Sequence, residues 1–265
     1  MKKYPVFMWL RLLPIVFVCF IAGCATSTDK YHNLPAKNIY HTAKTYLEKG
    51  STSSAIEAYE SLSTQYPFGQ YSQKADLEII YAYYADGESA MALAAANSFI
   101  KLYPKNPHLD YALYMRGVLN FNAGRGFIQK YFPYHMQEHD PTEYTLAFND
   151  FKQLVLRYPN SVYLLDARRR MVYLANILGA QQLMIAKFYE KKAAYDGAIA
   201  RAMNVILHYP QTTAVKGALQ VVITSYQALG LDTYAKAYQK VYAYNFPAVV
   251  SLQPSSKVGQ PKNKA

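Results

Sequence analysis

An aromatic residue followed by proline recurs along the chain and constrains the fold more than any other feature. The five pairs are Tyr66-Pro67, Tyr103-Pro104, Tyr158-Pro159, Tyr209-Pro210 and Phe246-Pro247. Twelve residues before each proline stands an alanine: Ala55, Ala92, Ala147, Ala198 and Ala235. Bulky residues stand five before it: Leu62, Phe99, Leu154, Val205 and Tyr242. These offsets trace one face of a helix. Because proline cannot continue a helix and alanine allows close helix contact, we predict five similar helices, each ending at its proline.

A second apolar-periodic stretch precedes each of these helices. The stretches are 38–49, 70–85, 109–123, 164–192 and 213–229. Pairs of helices of this size that end in aromatic-Pro resemble the tetratricopeptide repeat. We therefore predict an all-α fold, a right-handed α-α superhelix of five tetratricopeptide-like repeats at about 37–67, 70–104, 109–159, 161–210 and 213–247, with insertions in the third and fourth. A helical domain without repeats is the alternative, and it leaves the recurring alanines unexplained.

The amino terminus has the pattern of a bacterial lipoprotein signal peptide over residues 1–23. Lys2 and Lys3 precede a short apolar run, and the small pair Ala22-Gly23 stands before Cys24. The run is too short to cross a bilayer and fits a cleaved leader. We predict N-acyl and S-diacylglyceryl lipid on Cys24, which anchors stably because several chains insert. Ala25, where many inner-membrane lipoproteins have Asp, favours the outer membrane, and 24–36 is predicted to be a polar tether. An uncleaved anchor is the alternative.

Composition narrows the function classes. The formal net charge is +11, and loss of the leader would lower it to +8. Export makes nucleic acid an unsuitable partner, so anionic lipid or acidic protein surfaces fit better. Without Cys19, only Cys24 remains, which excludes an internal disulfide, a cysteine zinc cluster and a thiol nucleophile. The 27 tyrosines suit helix packing or a peptide groove. The tail 248–265, rich in Ser, Pro and Lys, is predicted to be disordered.

Candidate chemistry is sparse. His135 and His139 have a spacing that can bind a metal on a helix, but Pro133 and Pro141 flank them and predict a solvated loop. The chain contains neither a glycine-rich phosphate loop nor a G-x-S-x-G motif. We therefore predict no enzyme, no catalytic residue, no metal site and no cofactor beyond the lipid. Arg168 and Arg169 belong to a charge run that is either a solvated face or a contact with an acidic partner.

Three strings resemble the tetratricopeptide lipoproteins of the outer-membrane β-barrel assembly machinery. They are YPFGQYSQKADLEIIYAYY (66–84), NPHLDYALYMRG (106–117) and RYPNSVYLLDARRRMVYL (157–174). The resemblance covers about 38–247 and is loosest in 125–141, in 179–192 and in the tail. It implies a subunit on the periplasmic face of the outer membrane. The carboxy-terminal repeats would contact a POTRA domain of a BamA-like barrel subunit and an accessory lipoprotein. The amino-terminal repeats would receive the targeting strands of unfolded outer-membrane proteins.

The same resemblance suggests particular residues. YEKKAAYDGAIARAMNVI (189–206) aligns with a stretch whose arginine faces the POTRA domain, and that position here is Arg201. A planar guanidinium suits this role because it holds a carboxylate by two hydrogen bonds. A targeting strand ends in an aromatic residue and a carboxylate, so its receptor needs an aromatic slot and a cation. Candidates are Tyr81, Tyr84, Tyr111, Tyr114 and Arg116, with packing between helices as the alternative for each.

Two other functions remain open from the residues alone. A tetratricopeptide lipoprotein that assembles pili or secretin channels would share the leader and the repeats. A peptidoglycan-associated protein would need a wall-binding or hydrolytic site, and no carboxylate constellation stands out.

Overall fold

The computed structural model describes residues 30–129 and 140–247 of the chain. All regular secondary structure in these ranges is α-helical, which confirms the predicted all-α class. The helices are α1 Ala36–Glu48, α2 Thr52–Gln65, α3 Gln70–Asp86, α4 Ser89–Leu102, α5 Leu109–Gln129, α6 Thr142–Arg157, α7 Leu164–Lys191, α8 Tyr195–His208, α9 Ala214–Ala228 and α10 Asp232–Asn245. The predicted leader, Cys24, the histidine pair and the predicted disordered tail lie outside the described residues.

The aromatic-Pro pairs end helices as predicted. Helices α2, α6, α8 and α10 each stop one residue before the aromatic, whose backbone N–H still donates to the carbonyl four residues back. The aromatic residues themselves are non-helical, with φ between −128° and −131° and ψ between 49° and 72°. Proline causes this geometry because its ring disfavours a helical conformation in the preceding residue. The five alanines twelve residues upstream are all buried, so the predicted close-contact positions are confirmed.

Helix packing follows the order of a helical repeat. Successive helices pack in the series α1–α2–α3 and in the series α5–α6–α7–α8–α9–α10. The first helix of a pair also contacts the first helix of the next pair, as α1 does with α3 and α7 with α9. The chain forms two compact units, Met1–Phe99 and Ile100–Ala265. Each unit is described separately below.

The amino-terminal unit has a polar network inside its helix packing. The hydroxyls of Tyr40 and Tyr59 each donate to one carboxylate oxygen of Glu78, both at 2.6 Å. Burial and then the bond to Glu78 raise the pKa of both phenols. Both tyrosines are therefore neutral donors that fix the register of α1 and α2 on α3, since a buried donor is costly to leave unpaired.

The carboxy-terminal unit contains two apolar clusters. One joins α5, α6 and α7 around Leu113, Phe151 and Leu174, and the other joins α7, α8 and α9 around Ala202 and Val222. Helix α5 continues to Gln129, past the predicted end at residue 123. The predicted end at residue 123 stands just before Gly124, and a glycine commonly follows the last residue of a helix. The missing side chain of Gly124 instead admits the ring of Tyr144, because a Cβ there would lie 2.7 Å from Tyr144 Cε1.

Candidate protein-binding surfaces

Arg201 lies on the exposed side of α8. Its neighbours Ala198 and Ala202 are fully buried against α7 and α9, so the backbone of the helix is held rigidly. Among the described residues, the Arg201 guanidinium donates a hydrogen bond to Gln182 Oε1, at the long distance of 3.3 Å. A guanidinium has five donors. The side chain is therefore free to bind a carboxylate of a partner without first breaking an ion pair.

The arginine run on α7 divides into two roles. Arg168 and Arg169 are exposed, as a partner contact requires. Arg170 turns inward, where its Nε donates to Asp166 Oδ2 at 2.6 Å and its guanidinium lies 5.2 Å from the ring centre of Phe121. The run is therefore partly structural, and its first two members are the ones available to another molecule.

Tyr81 and Tyr84 on α3 form an exposed aromatic pair. Their side chains are 47% and 36% exposed, and their ring centres are 6.5 Å apart. Tyr83, between them in sequence, is buried and donates its hydroxyl to Glu60. The helix thus presents two of the three tyrosines to solvent and uses the third for packing.

The other proposed groove residues are partly buried between helices of the second unit. Tyr114 stacks on Tyr163 with ring centres 4.6 Å apart and donates its hydroxyl to Asp166 Oδ2 at 2.9 Å. The Arg116 guanidinium binds Asp150 Oδ1 through Nε at 2.9 Å and Nη2 at 2.5 Å. Tyr111 is half-buried beside Tyr163 at 5.6 Å. A binding role for these three residues stays a prediction, and their geometry is that of contacts between helices.

Asp150 explains why Arg116 stays inside. The carboxylate is buried and also accepts a hydrogen bond from Asn120 Nδ2 at 3.0 Å. Burial raises the pKa of Asp150, while the bonds from Arg116 and Asn120 oppose that rise. Removing Arg116 would leave an uncompensated buried carboxylate, which is strongly destabilising. A substrate carboxylate would therefore have to compete with Asp150 for this guanidinium.

Sequence reasoning missed an open apolar pocket on the second unit. Its wall combines α6, α7 and the turn after α8, with Phe148, Met171, Val172, Asn176 and Tyr209 among the lining residues. Val172 is largely exposed on its helix. In the sequence, the available sign was an apolar β-branched residue, Val172, at a position of the helix where the amphipathic pattern predicts a polar one. Tyr209 also lines the pocket. Its position before Pro210 is already explained by the end of α8, so it gave no separate sign of a pocket.

Two further observations limit the chemistry of the described residues. Residues 30–129 and 140–247 contain no group of three or more His, Cys, Asp or Glu side chains able to hold a metal ion. No helix in the same ranges has the length and hydropathy needed to cross a bilayer.

Paired helices with exposed arginine and tyrosine surfaces define a helical-repeat scaffold. The family of outer membrane lipoproteins called YfiO matches residues 32–241, and the chain belongs to this family. Relatives named outer membrane protein assembly factor BamD are 38% identical over 229 residues in Vibrio cholerae and 34% identical over 242 residues in Neisseria meningitidis serogroup A. The Vibrio alignment covers 86% of this chain and 93% of the relative, and the Neisseria alignment covers 89% and 91%.

Proposed function

We propose that this chain is a lipid-anchored, non-enzymatic scaffold that takes part in the assembly of β-barrel proteins at the periplasmic face of the outer membrane. One observation carries the proposal: relatives named as assembly factors align with this chain over about nine-tenths of both lengths. The mechanism is positioning by binding energy. A rigid repeat surface serves this purpose because little conformational entropy is lost on the receptor side when a partner binds.

The anchor is proposed to be Cys24, modified with diacylglyceryl and N-acyl chains. The basic start, short apolar run and small residues before Cys24 support this assignment. The family description as outer membrane lipoproteins agrees with it.

The barrel subunit is proposed to bind at Arg201, through a carboxylate of one of its POTRA domains. The exposed position of Arg201 and its one long hydrogen bond to Gln182 support this choice. Lys187, Lys191 and Lys192 lie near the end of α7, the helix on which α8 packs, and all three are exposed. A basic surface of this kind steers an acidic partner during encounter and adds specificity. Arg168 and Arg169 offer a second basic contact, suited to an accessory lipoprotein.

The targeting strands of unfolded barrels are proposed to contact Tyr81 and Tyr84. Exposed aromatic faces bind apolar and aromatic side chains at a small entropic cost. We expect a double substitution Tyr81→Ala and Tyr84→Ala to weaken binding of a peptide with a terminal aromatic residue about tenfold. Fluorescence anisotropy of the labelled peptide measures this affinity. The control is Met91→Ala, also exposed in the same unit. Unchanged affinity of the double variant would remove the substrate surface from α3.

A pull-down tests the proposed function as a whole. The chain is tagged at its carboxy terminus, outer membranes are dissolved in mild detergent, and co-purifying proteins are identified by mass spectrometry. We expect stoichiometric recovery of a barrel protein with POTRA domains. Recovery of pilus or secretin components, or of wall fragments alone, would contradict the assembly function and support the corresponding alternative.

A further inference from the structure

We propose that one end of the amino-terminal unit is a membrane-contact surface that rests on a bilayer containing anionic phospholipid. This end, called the anchored end below, comprises residues 30–37 together with the turn and first helical residues at 66–74. The inference rests on the lipid at Cys24 in the proposed function. It adds a surface, an orientation and a lipid chemistry that a bare anchor does not require.

The length of chain between the lipid and the first described residue keeps this end close to the bilayer. Lys30 stands six positions after Cys24, and a fully extended segment of that length spans at most about 22 Å. The chain is fastened where the description begins. Lys30 Nζ donates to the Tyr46 hydroxyl at 2.9 Å, and Gln65 Nε2 donates to the carbonyl oxygen of Tyr31 at 3.2 Å. Tyr31 is 1% exposed. These contacts hold residues 30 and 31 against the first helix pair and so limit how far this pair can move from the lipid.

Two apolar side chains project at the anchored end. Phe68 is 91% exposed and Leu34 is 38% exposed. They lie at the same end because the Tyr66 hydroxyl donates to the carbonyl oxygen of Leu34 at 2.9 Å, and Phe68 follows Tyr66 by two residues. Aromatic and aliphatic side chains on a cationic surface insert into the boundary between headgroups and acyl chains.

The other repeats provide an internal comparison for Phe68. The residue after the proline of an aromatic-Pro pair is Lys105, Asn160 or Gln211 in the second, third and fourth repeats. These turns are polar, as is usual for a solvated connection. Only the turn beside the tether has a large apolar residue at this position among the four. Helix termination therefore does not account for Phe68.

The charges of the unit are separated between its two ends. Exposed Lys37 and Lys74 lie at the anchored end. The Lys30 ammonium instead points along α1 to the hydroxyl of Tyr46. Residues 30–37 and 66–74 contain no acidic residue. Asp29 directly precedes the first segment in sequence, and Asp76, two residues after the second, accepts a hydrogen bond from Ser63 at 3.0 Å. The opposite end is identified by the bonds from Thr52 and Ser53 to Asp86.

That opposite end is mainly acidic. Glu48, Asp86 and Glu88 occur there against Lys49. Lysines that approach an anionic bilayer are attracted to it, and carboxylates are repelled. The polarity of the unit therefore favours the orientation that the short tether already requires, with the anchored end toward the lipid.

Tryptophan fluorescence tests this orientation without interference. The single tryptophan of the chain is Trp9, in the predicted leader, so the lipidated mature chain has none. A Phe68→Trp variant is reconstituted in phosphatidylethanolamine–phosphatidylglycerol vesicles with brominated acyl chains. We expect bromine to reduce its emission about twofold or more, since an interfacial side chain lies within about 10 Å of the acyl boundary. The matched control is Met91→Trp. Met91 is 47% exposed and lies in the first turn of α4, directly after the acidic opposite end. This variant should be quenched little.

Lys37→Glu provides a second measurement on the Phe68→Trp background. We expect weaker quenching in the anionic vesicles and no change in phosphatidylcholine vesicles, because only the former carry net charge.

Equal quenching of the Phe68→Trp and Met91→Trp variants, in protein that floats with the vesicles, would overturn this surface and leave the anchor intact. Protein that fails to float would overturn the anchor and this inference with it. A peptide ending in an aromatic residue that shifts the Phe68→Trp emission, with no quenching by lipid, would make the surface a peptide site instead.

Discussion

Replacing Cys24 by alanine is expected to abolish retention of the protein in the outer membrane. The thiol is the predicted attachment point of the diacylglyceryl group. One acyl chain binds a membrane only marginally, and two or more anchor a protein stably. Without these chains, nearly all of the protein should be absent from the outer-membrane fraction. Fractionation of cells, followed by mass measurement of the protein, shows whether it is soluble or held as an uncleaved precursor.

Cys19→Ala is the matched control for this change. It removes the other cysteine of the chain from the apolar run of the predicted leader. Because small or apolar residues suffice there, processing and retention should stay as in the unsubstituted protein. A Cys24→Ala protein that is processed and remains in the outer membrane would refute the lipoprotein interpretation.

Arg201→Glu is expected to weaken capture of the barrel subunit about thirtyfold or more, since loss of one partner of a hydrogen-bonded charge pair buried in an interface costs about 2–5 kcal/mol. The side chain is exposed and bonded only weakly to Gln182, so helicity and melting temperature should not change. Pull-down yield and surface plasmon resonance with the purified partner measure the effect. Arg201→Lys should give an intermediate loss, because an ammonium retains the charge but not the planar fork.

Arg157→Glu controls for a general effect of charge. Arg157 is exposed at the end of α6 in the same unit and undergoes the same reversal. It should reduce capture much less than Arg201→Glu. If the two reversals act equally, the attraction is diffuse; if Arg201→Glu leaves capture unchanged in a normally folded protein, the interface lies elsewhere.

The fold could be predicted largely from local chemistry. A proline ends a helix through its own ring and the residue before it, so Tyr66, Tyr158 and Tyr209 stop their helices whatever surrounds them. An alanine repeated at one helical offset indicates a close contact for a similar reason, because no larger side chain fits. Such rules act within a few residues, and the sequence contains all the information that they need.

The candidate site was only partly predictable, because the role of a helical tyrosine or arginine depends on residues far away in sequence. Tyr114 and Arg116 resemble groove residues in the sequence, but Asp166 and Asp150, 52 and 34 residues later, hold them inside the second unit. Gly117, next to Arg116, faces the ring of Phe151, which lies 2.7 Å from where a Cβ would be, so this glycine also serves the contact between helices. The sequence did single out Tyr81 and Tyr84, which are exposed, while the burial of Tyr83 depends on its contact with Glu60 on another helix.

By itself the sequence determined the helices, the repeat pattern and the helix ends at the aromatic-Pro pairs. It also predicts the lipoprotein leader. Only the tertiary structure decided which arginines form ion pairs within the protein and which are exposed to a partner. Arg116 and Arg170 are bonded to Asp150 and Asp166, whereas Arg201 and Arg168 are exposed. It also placed Phe68 beside the lysines of the anchored end. The physical reason is that helix formation depends on neighbours along the chain, while burial and ion pairing depend on neighbours in space.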